Sequence, residues 1–129
     1  FVIGRGLTLP IAMEAALKLK ETCAIHAEAF SAAEIIHGPA ALITEGFPVI
    51  VFLPSDEARE SVLSTIDRLR VLGADMIIFD NMDHKRITHS LIAPLPMLHD
   101  FYRYAERVAR SKGLDPDHPP HLKKVTLTV

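Results

Sequence analysis

Apolar positions along this chain follow two rhythms. Short unbroken apolar runs alternate with stretches in which apolar residues recur every third or fourth position. Phe1 to Ile3 is a run of the first kind, and it ends in Gly4-Arg5-Gly6, which predicts a buried strand feeding a tight turn. Thr8 is a plausible N-cap, Pro10 is tolerated in a first turn, and the Ala, Met, Glu, Leu and Lys that follow predict a helix to about Cys23. Residues 24–40 carry Ala, Ser, Glu and Phe until His37-Gly38-Pro39 stops any helix, so a loop with a short helix is expected there. Phe47 to Leu53, with Pro48 at its start, reads as a continuous apolar strand. Ser55 is placed to cap a helix whose first turn holds Asp56 and Glu57, favourable at the positive end of the helix dipole. Val62, Ile66 and Leu69 keep helical spacing, and Gly73 ends that helix. Met76 to Phe79 predicts a third strand. A polar stretch over 80–90 and an apolar one over 91–98, broken by Pro94 and Pro96, lead to a helix from about His99 to Lys112. The segment from Leu114 to Val129, with Pro116, Pro119 and Pro120, reads as an extended tail.

Strands apolar throughout, alternating with helices, predict an α/β three-layer sandwich with a mostly parallel sheet covered on both faces. Such sheets bind ligands outside the carboxyl ends of their strands, where Gly4-Arg5-Gly6, Pro54-Ser55 and Asp80-Asn81 fall. The 129 residues fit one domain, and 49% apolar with 23% charged residues supports a packed core. A formal net charge of -2 gives no electrostatic case for nucleic acid or an anionic membrane surface. One cysteine, Cys23, allows neither an intrachain disulfide nor a thiolate metal cluster, which suits a cytoplasmic location. No apolar run reaches membrane-spanning length. The chain opens in an apolar strand without an initiator Met or a signal peptide, so an upstream segment is expected.

The first helix is the richest in chemistry. Glu14, Lys18 and Glu21 stand at i, i+4 and i+7 and share one face, while Lys20 points elsewhere. The spacing suits a solvated face with one favourable pair. It also admits a carboxylate base held beside an ammonium near the mouth of the sheet, and spacing alone does not choose. His37 precedes a Gly-Pro turn able to fix an imidazole whose pKa suits proton transfer, or it is an incidental surface histidine. His26-Ala27-Glu28 matches half of a zinc-deaminase signature, but the required second cysteine is missing. Gly4-Arg5-Gly6 lacks the third glycine of a dinucleotide fingerprint. Cys23 ends a helix rather than starting one and reads as a packing residue. Lys123 and Lys124 are a solvated basic pair, or one of them is pinned over a site where a desolvated lysine can form a Schiff base with a keto sugar.

The stretch PIAMEAALKLKETCAIHAEAFSAAEIIHGPAALI resembles the second sugar-isomerase (SIS) domain of glucosamine-6-phosphate synthase and of its relatives that lack a glutaminase domain. The tail GLDPDHPPHLKKVTLTV is similar to that family's C-terminus, and the two motifs together cover nearly the whole chain. The resemblance implies the flavodoxin-like SIS fold, a first SIS domain upstream in the same polypeptide, and a homodimer with sites at the subunit interface. It implies that Glu21 shuttles a proton between C1 and C2 of an amino-sugar phosphate, with Lys18 beside it. It further implies that His37 assists ring opening, supplied by the neighbouring subunit, and that Lys124 is the tail lysine that meets the substrate ketone. No metal or organic cofactor is implied.

The departures bear on which reaction is expected. Ile36 stands where the synthase has a lysine before His-Gly-Pro. The Glu-Thr-Cys run after Lys20 and the Asp-Pro-Asp-x-Pro-Pro tail are closer to stand-alone deaminases and isomerases. Those enzymes interconvert glucosamine 6-phosphate with fructose 6-phosphate and ammonia. The alternatives are the isomerase domain of a synthase and a non-catalytic sugar-phosphate sensor. The segment between Phe79 and His99 is short for the family, so an edge strand is expected to be missing or irregular. The family's Ser/Thr-rich phosphate loop belongs to the first SIS domain and has no equivalent in this sequence, so the domain alone is expected to lack the main phosphate grip.

Overall fold

The computed structural model describes residues 1–80, 89 and 91–122. Four strands form the sheet among these residues: β1 (Val2–Gly4), β2 (Ala29–Ser31), β3 (Phe47–Leu53) and β4 (Ala74–Asp80). All pair in parallel in the order β2-β1-β3-β4. Helices α1 (Leu9–Cys23), α2 (Arg59–Val71) and α3 (Pro94–Ser111) cover it.

The alternation of side chains along the strands sorts the core into two halves. Val2, Ile50 and Phe52 face α1 and α3. Ile3, Val49, Val51 and Leu53 face α2 and the segment after β2, through Ala32, Ile35 and Ile43. Burial on both faces is why β3 reads as an unbroken apolar run rather than an alternating one. On the first face Phe52, Phe79 and Phe101 pack with ring centroids 5.2 to 6.0 Å apart and seat α3 on β3 and β4. The three-layer parallel architecture is the one expected.

Several local expectations change. Residues 24–40 contain a strand, β2, three residues long and half-buried, followed by two 3₁₀ turns over Ile35–His37 and Pro39–Leu42. A strand this short carries no periodicity to read. Helix α3 starts at Pro94 rather than near His99, because both prolines fall in its first turn, where a missing N–H costs nothing. Helix α2 starts at Arg59 rather than just after Ser55, and the donor near its start is met by Asp56, whose Oδ1 accepts the Ala58 N–H at 2.9 Å. Thr8 precedes α1 but spends its hydroxyl on Arg5, donating to the carbonyl and accepting from the N–H, each at 3.0 Å.

That Arg5–Thr8 turn brings the start of α1 hard against the end of β1. A Cβ on Gly4 would lie 2.4 Å from the Thr8 carbonyl oxygen and 2.8 Å from the Leu9 nitrogen, both backbone atoms. Only glycine fits, and the cost of any side chain is backbone displacement rather than a rotamer change. Gly4→Ala is therefore expected to lower unfolding free energy by about 2 kcal/mol or more, read as a shift in urea midpoint. An unchanged midpoint would mean that β1 and α1 can part without cost.

Candidate functional site

Helix α1 leaves β1 at the carboxyl edge of the sheet and runs back toward the amino edge. Its inner face is Ile11, Ala12, Ala15, Ala16, Leu19 and Cys23, all buried. The small alanines let it lie close to the sheet. The opposite face carries Met13 and Leu17, exposed by 60% and 41%. Beside them run Glu14, Lys18 and Glu21, whose side chains are 32%, 33% and 30% exposed.

The structure brings Lys18 and Glu21 together: Lys18 Nζ donates to Glu21 Oε2 at 2.6 Å. Its distance to Glu14 Oε1 is 3.8 Å. The same Glu14 oxygen accepts a hydrogen bond from the Tyr102 hydroxyl of α3 at 3.0 Å. The Lys18 ammonium is held charged above the ordinary lysine range, first by its hydrogen bond to Glu21; partial burial opposes this, and the charges of Glu21 and Glu14 add to it. Burial, then the bond to Glu14, likewise pushes the Tyr102 phenol upward, so it stays a donor.

The row does not sit at the mouth of the sheet. Glu21 is 12 residues beyond Leu9, roughly 18 Å along the helix axis. Leu19 and Ile25 share a depression of about 190 Å³ with Val2, Pro48 and Val49 at the amino ends of β1 and β3. The expectation of a base at the carboxyl edge is corrected accordingly, because a helix antiparallel to its strand carries its later turns to the far edge.

At the carboxyl edge the start of α2 is acidic, while Arg103 and Arg107 line a depression beside the end of β4. Asp56 sits at the α2 start, where an anion would have to bind, with Glu57 and Glu60 close in sequence. Arg59 is turned away to Asp80, with Nη1 and Nη2 donating to its two carboxylate oxygens at 2.9 and 2.7 Å, and to the Pro54 carbonyl at 3.1 Å. This clamp ties α2 to the end of β4 and raises the Arg59 guanidinium, first through the bond to Asp80.

His37 ends the first 3₁₀ turn after β2 and is exposed. The segment around it packs through Ile35, Ile36 and Ala40 on the α2 side of the sheet, opposite the layer to which α1 belongs. One chain thus presents the Lys18–Glu21 pair and the His37 imidazole from different layers. Lys124, and Lys123 before it, lie outside the described residues, as do residues 81–88 and 90 of the segment between Phe79 and His99 where the irregular edge strand was expected. Tyr102 and Arg59 were not singled out from the sequence. Tyr102 meets a residue 88 positions away, and no local pattern encodes such a contact.

Residues 1–90 match the family model of the SIS domain. The chain belongs to the SIS domain family. Over 95% of its length it is 41% identical to glutamine–fructose-6-phosphate aminotransferase (isomerizing) of Escherichia coli (strain K12). It spans 22% of that relative's length. The C-terminal domain of glucosamine-fructose-6-phosphate aminotransferase from Francisella tularensis superposes with a TM-score of 0.75 at 33% identity, covering 91% of this chain and 36% of that one. Glucosamine-6-phosphate deaminase from Thermotoga maritima superposes with a TM-score of 0.75 at 27% identity, covering 95% of this chain and 38% of that one. The relatives of this SIS domain are thus sugar-phosphate aminotransferases and deaminases, and their chains are more than twice as long. Among its described residues no helix is long and apolar enough to cross a membrane.

Because the raised Lys18 pKa reports a partner gained on folding, its contribution is full below the ordinary lysine value of 10.5 and is lost as pH rises through the higher folded value. The stability difference between the wild-type protein and Lys18→Met is expected to hold from pH 7 to 10 and to change only above the ordinary lysine value, as measured by urea midpoints at each pH. A difference that already changes between pH 7 and 9 would show that the ammonium is not held as described.

Proposed function

We propose that this SIS domain carries the proton-transfer chemistry of an amino-sugar phosphate isomerase-deaminase, converting glucosamine 6-phosphate and water to fructose 6-phosphate and ammonia. The observation that carries the proposal is the 2.6 Å pair of Lys18 and Glu21 on an accessible helix face. Aldose–ketose interconversion needs a base that takes the proton from one sugar carbon and returns it to its neighbour, and a cation close to the oxygen that gains charge between the two steps. Glu21 is the base. Lys18 orients its carboxylate through the hydrogen bond and faces the developing oxyanion.

His37 opens the sugar ring, and the copy that supplies it is a neighbouring one. Support for this is the separation of α1 and the His37 segment into different layers, together with apolar surface next to His37 at Ile36, Ala40, Leu42, Val71 and Leu72. Lys124 meets the substrate ketone, as a Schiff-base former or as a charge. The phosphate is gripped by a first SIS domain of the same polypeptide, because the carboxylates at the start of α2 repel an anion there. The full site is then assembled in a homodimer and needs no metal or organic cofactor.

Glu21→Gln in the full-length protein is expected to slow solvent exchange of the C1–C2 proton by a factor of about 10² or more, measured by NMR in deuterated water. Exchange at an undiminished rate would remove Glu21 as the base.

A second reading, the isomerase domain of a glutamine-dependent synthase, is favoured by the 41% identity to the aminotransferases. Ile36 in place of the synthase lysine favours the deaminase. Incubation of the full-length protein with glucosamine 6-phosphate is expected to release ammonia without glutamine. Formation of glucosamine 6-phosphate from fructose 6-phosphate only when glutamine is supplied would decide for the synthase.

A further inference from the structure

Lys18 has two carboxylates within 4 Å and stands much closer to one of them, 2.6 Å from Glu21 and 3.8 Å from Glu14. Both are on the same helix and about equally exposed, and helical spacing permits either pairing. What distinguishes them is Tyr102. Its hydroxyl donates at 3.0 Å to Glu14 Oε1, the very oxygen that faces Lys18. Tyr102 is aimed there because its neighbour Phe101 is fully buried against Phe52 and Phe79, which fixes the rotation of α3.

We infer that Tyr102 is a positioning residue: by occupying the Glu14 oxygen nearest Lys18, it keeps the ammonium on Glu21 rather than shared between two carboxylates. The inference rests on the proposed role of Glu21 as base, and it assigns a function to a contact that otherwise looks like a tie between α1 and α3. Among the described residues, the groups acting on the ammonium are Glu14 and Glu21 from its own helix and Tyr102 from α3. An ammonium has three donor hydrogens and can serve both carboxylates, and the phenol on Glu14 Oε1 weakens the pull of that oxygen on it. Without the phenol, Glu21 shares the cation that orients it and that faces the reacting oxygens.

The two partners therefore have opposed effects. Tyr102→Phe in the full-length protein is expected to lower kcat about fivefold to tenfold with KM changed less than twofold, since the loss falls on the reacting geometry rather than on sugar binding. Adding Glu14→Gln removes the competing charge, so the double variant is expected to recover most of that loss. Additive losses in the double variant would overturn the inference. So would a lower melting temperature for Tyr102→Phe with kcat unchanged, which is the signature of a tie between helices.

A readout independent of turnover is the Lys18 titration followed by ¹³Cε NMR. Glu14→Gln is expected to move its midpoint downward, because one charge that favours the ammonium is gone. An unmoved midpoint would show that Glu14 is no competitor, which overturns the inference. Glu21→Gln run alongside separates the two readings. If Glu21→Gln keeps the wild-type rate, the base assignment fails while the titration still reports the competition. If Glu21→Gln is inactive and the Tyr102 and Glu14 variants behave as wild type, the positioning role alone fails.

Discussion

A parallel sheet must be covered on both faces, and that requirement places the described candidate groups, Lys18, Glu21 and His37. The connections between parallel strands have to cross a face of the sheet, and here the first two crossings use different faces. The link from β1 to β2 is α1, on the layer shared with α3. The link from β2 to β3 is the pair of 3₁₀ turns, on the layer shared with α2. Lys18 and Glu21 ride on the first crossing and His37 on the second. Sequence proximity, with His37 only 16 positions after Glu21, is overruled by topology, and on the proposed reading a sugar touched by all three lies between copies.

On the proposed reading the chemistry sits on the side of a helix rather than in the crevice at the carboxyl edge. That crevice suits anionic ligands when the helix that starts there leaves its N–H groups free. Asp56 takes one of those donors, and Arg59 is engaged with Asp80 and the Pro54 carbonyl. The outer face of α1 is also available, and charged side chains there cost the fold little.

Much of this was legible in the sequence, for identifiable reasons. Strands β1, β3 and β4 announce themselves because burial on two faces removes polar residues from them. Helix α1 does so through its Ala-rich inner face, and the Glu14-Lys18-Glu21 row follows from 3.6-residue geometry. Strand β2 did not, since three half-buried residues carry no period. The start of α3 was misplaced because proline disrupts a helix interior but fits its first turn. The position of the row along the sheet was misjudged for a different reason: helical spacing fixes which side chains share a face, but not which edge of the sheet that face approaches. Tyr102 was invisible because its meaning depends on how α3 is rotated over α1, and that is set by packing of Phe101 rather than by anything near Glu14.

The energetics of the row argue that its geometry serves something other than stability. An exposed Glu–Lys pair on a helix contributes about 0.3–0.5 kcal/mol, and α1 is held by its buried face without it. At roughly one-third exposure the pair is also a weak electrostatic device, since water screens the coupling that would make a base and its cation effective. Both shortcomings are removed by one change, a second surface laid over the outer face of α1. It would expel water from Lys18 and Glu21, strengthen their coupling without moving an atom, and cover Met13 and Leu17, which otherwise meet solvent beside them. On the proposed reading the domain is therefore half of a site in the electrostatic as well as the geometric sense: its own fold sets which carboxylate the lysine serves, and assembly supplies the low-dielectric environment in which that choice has chemical consequence.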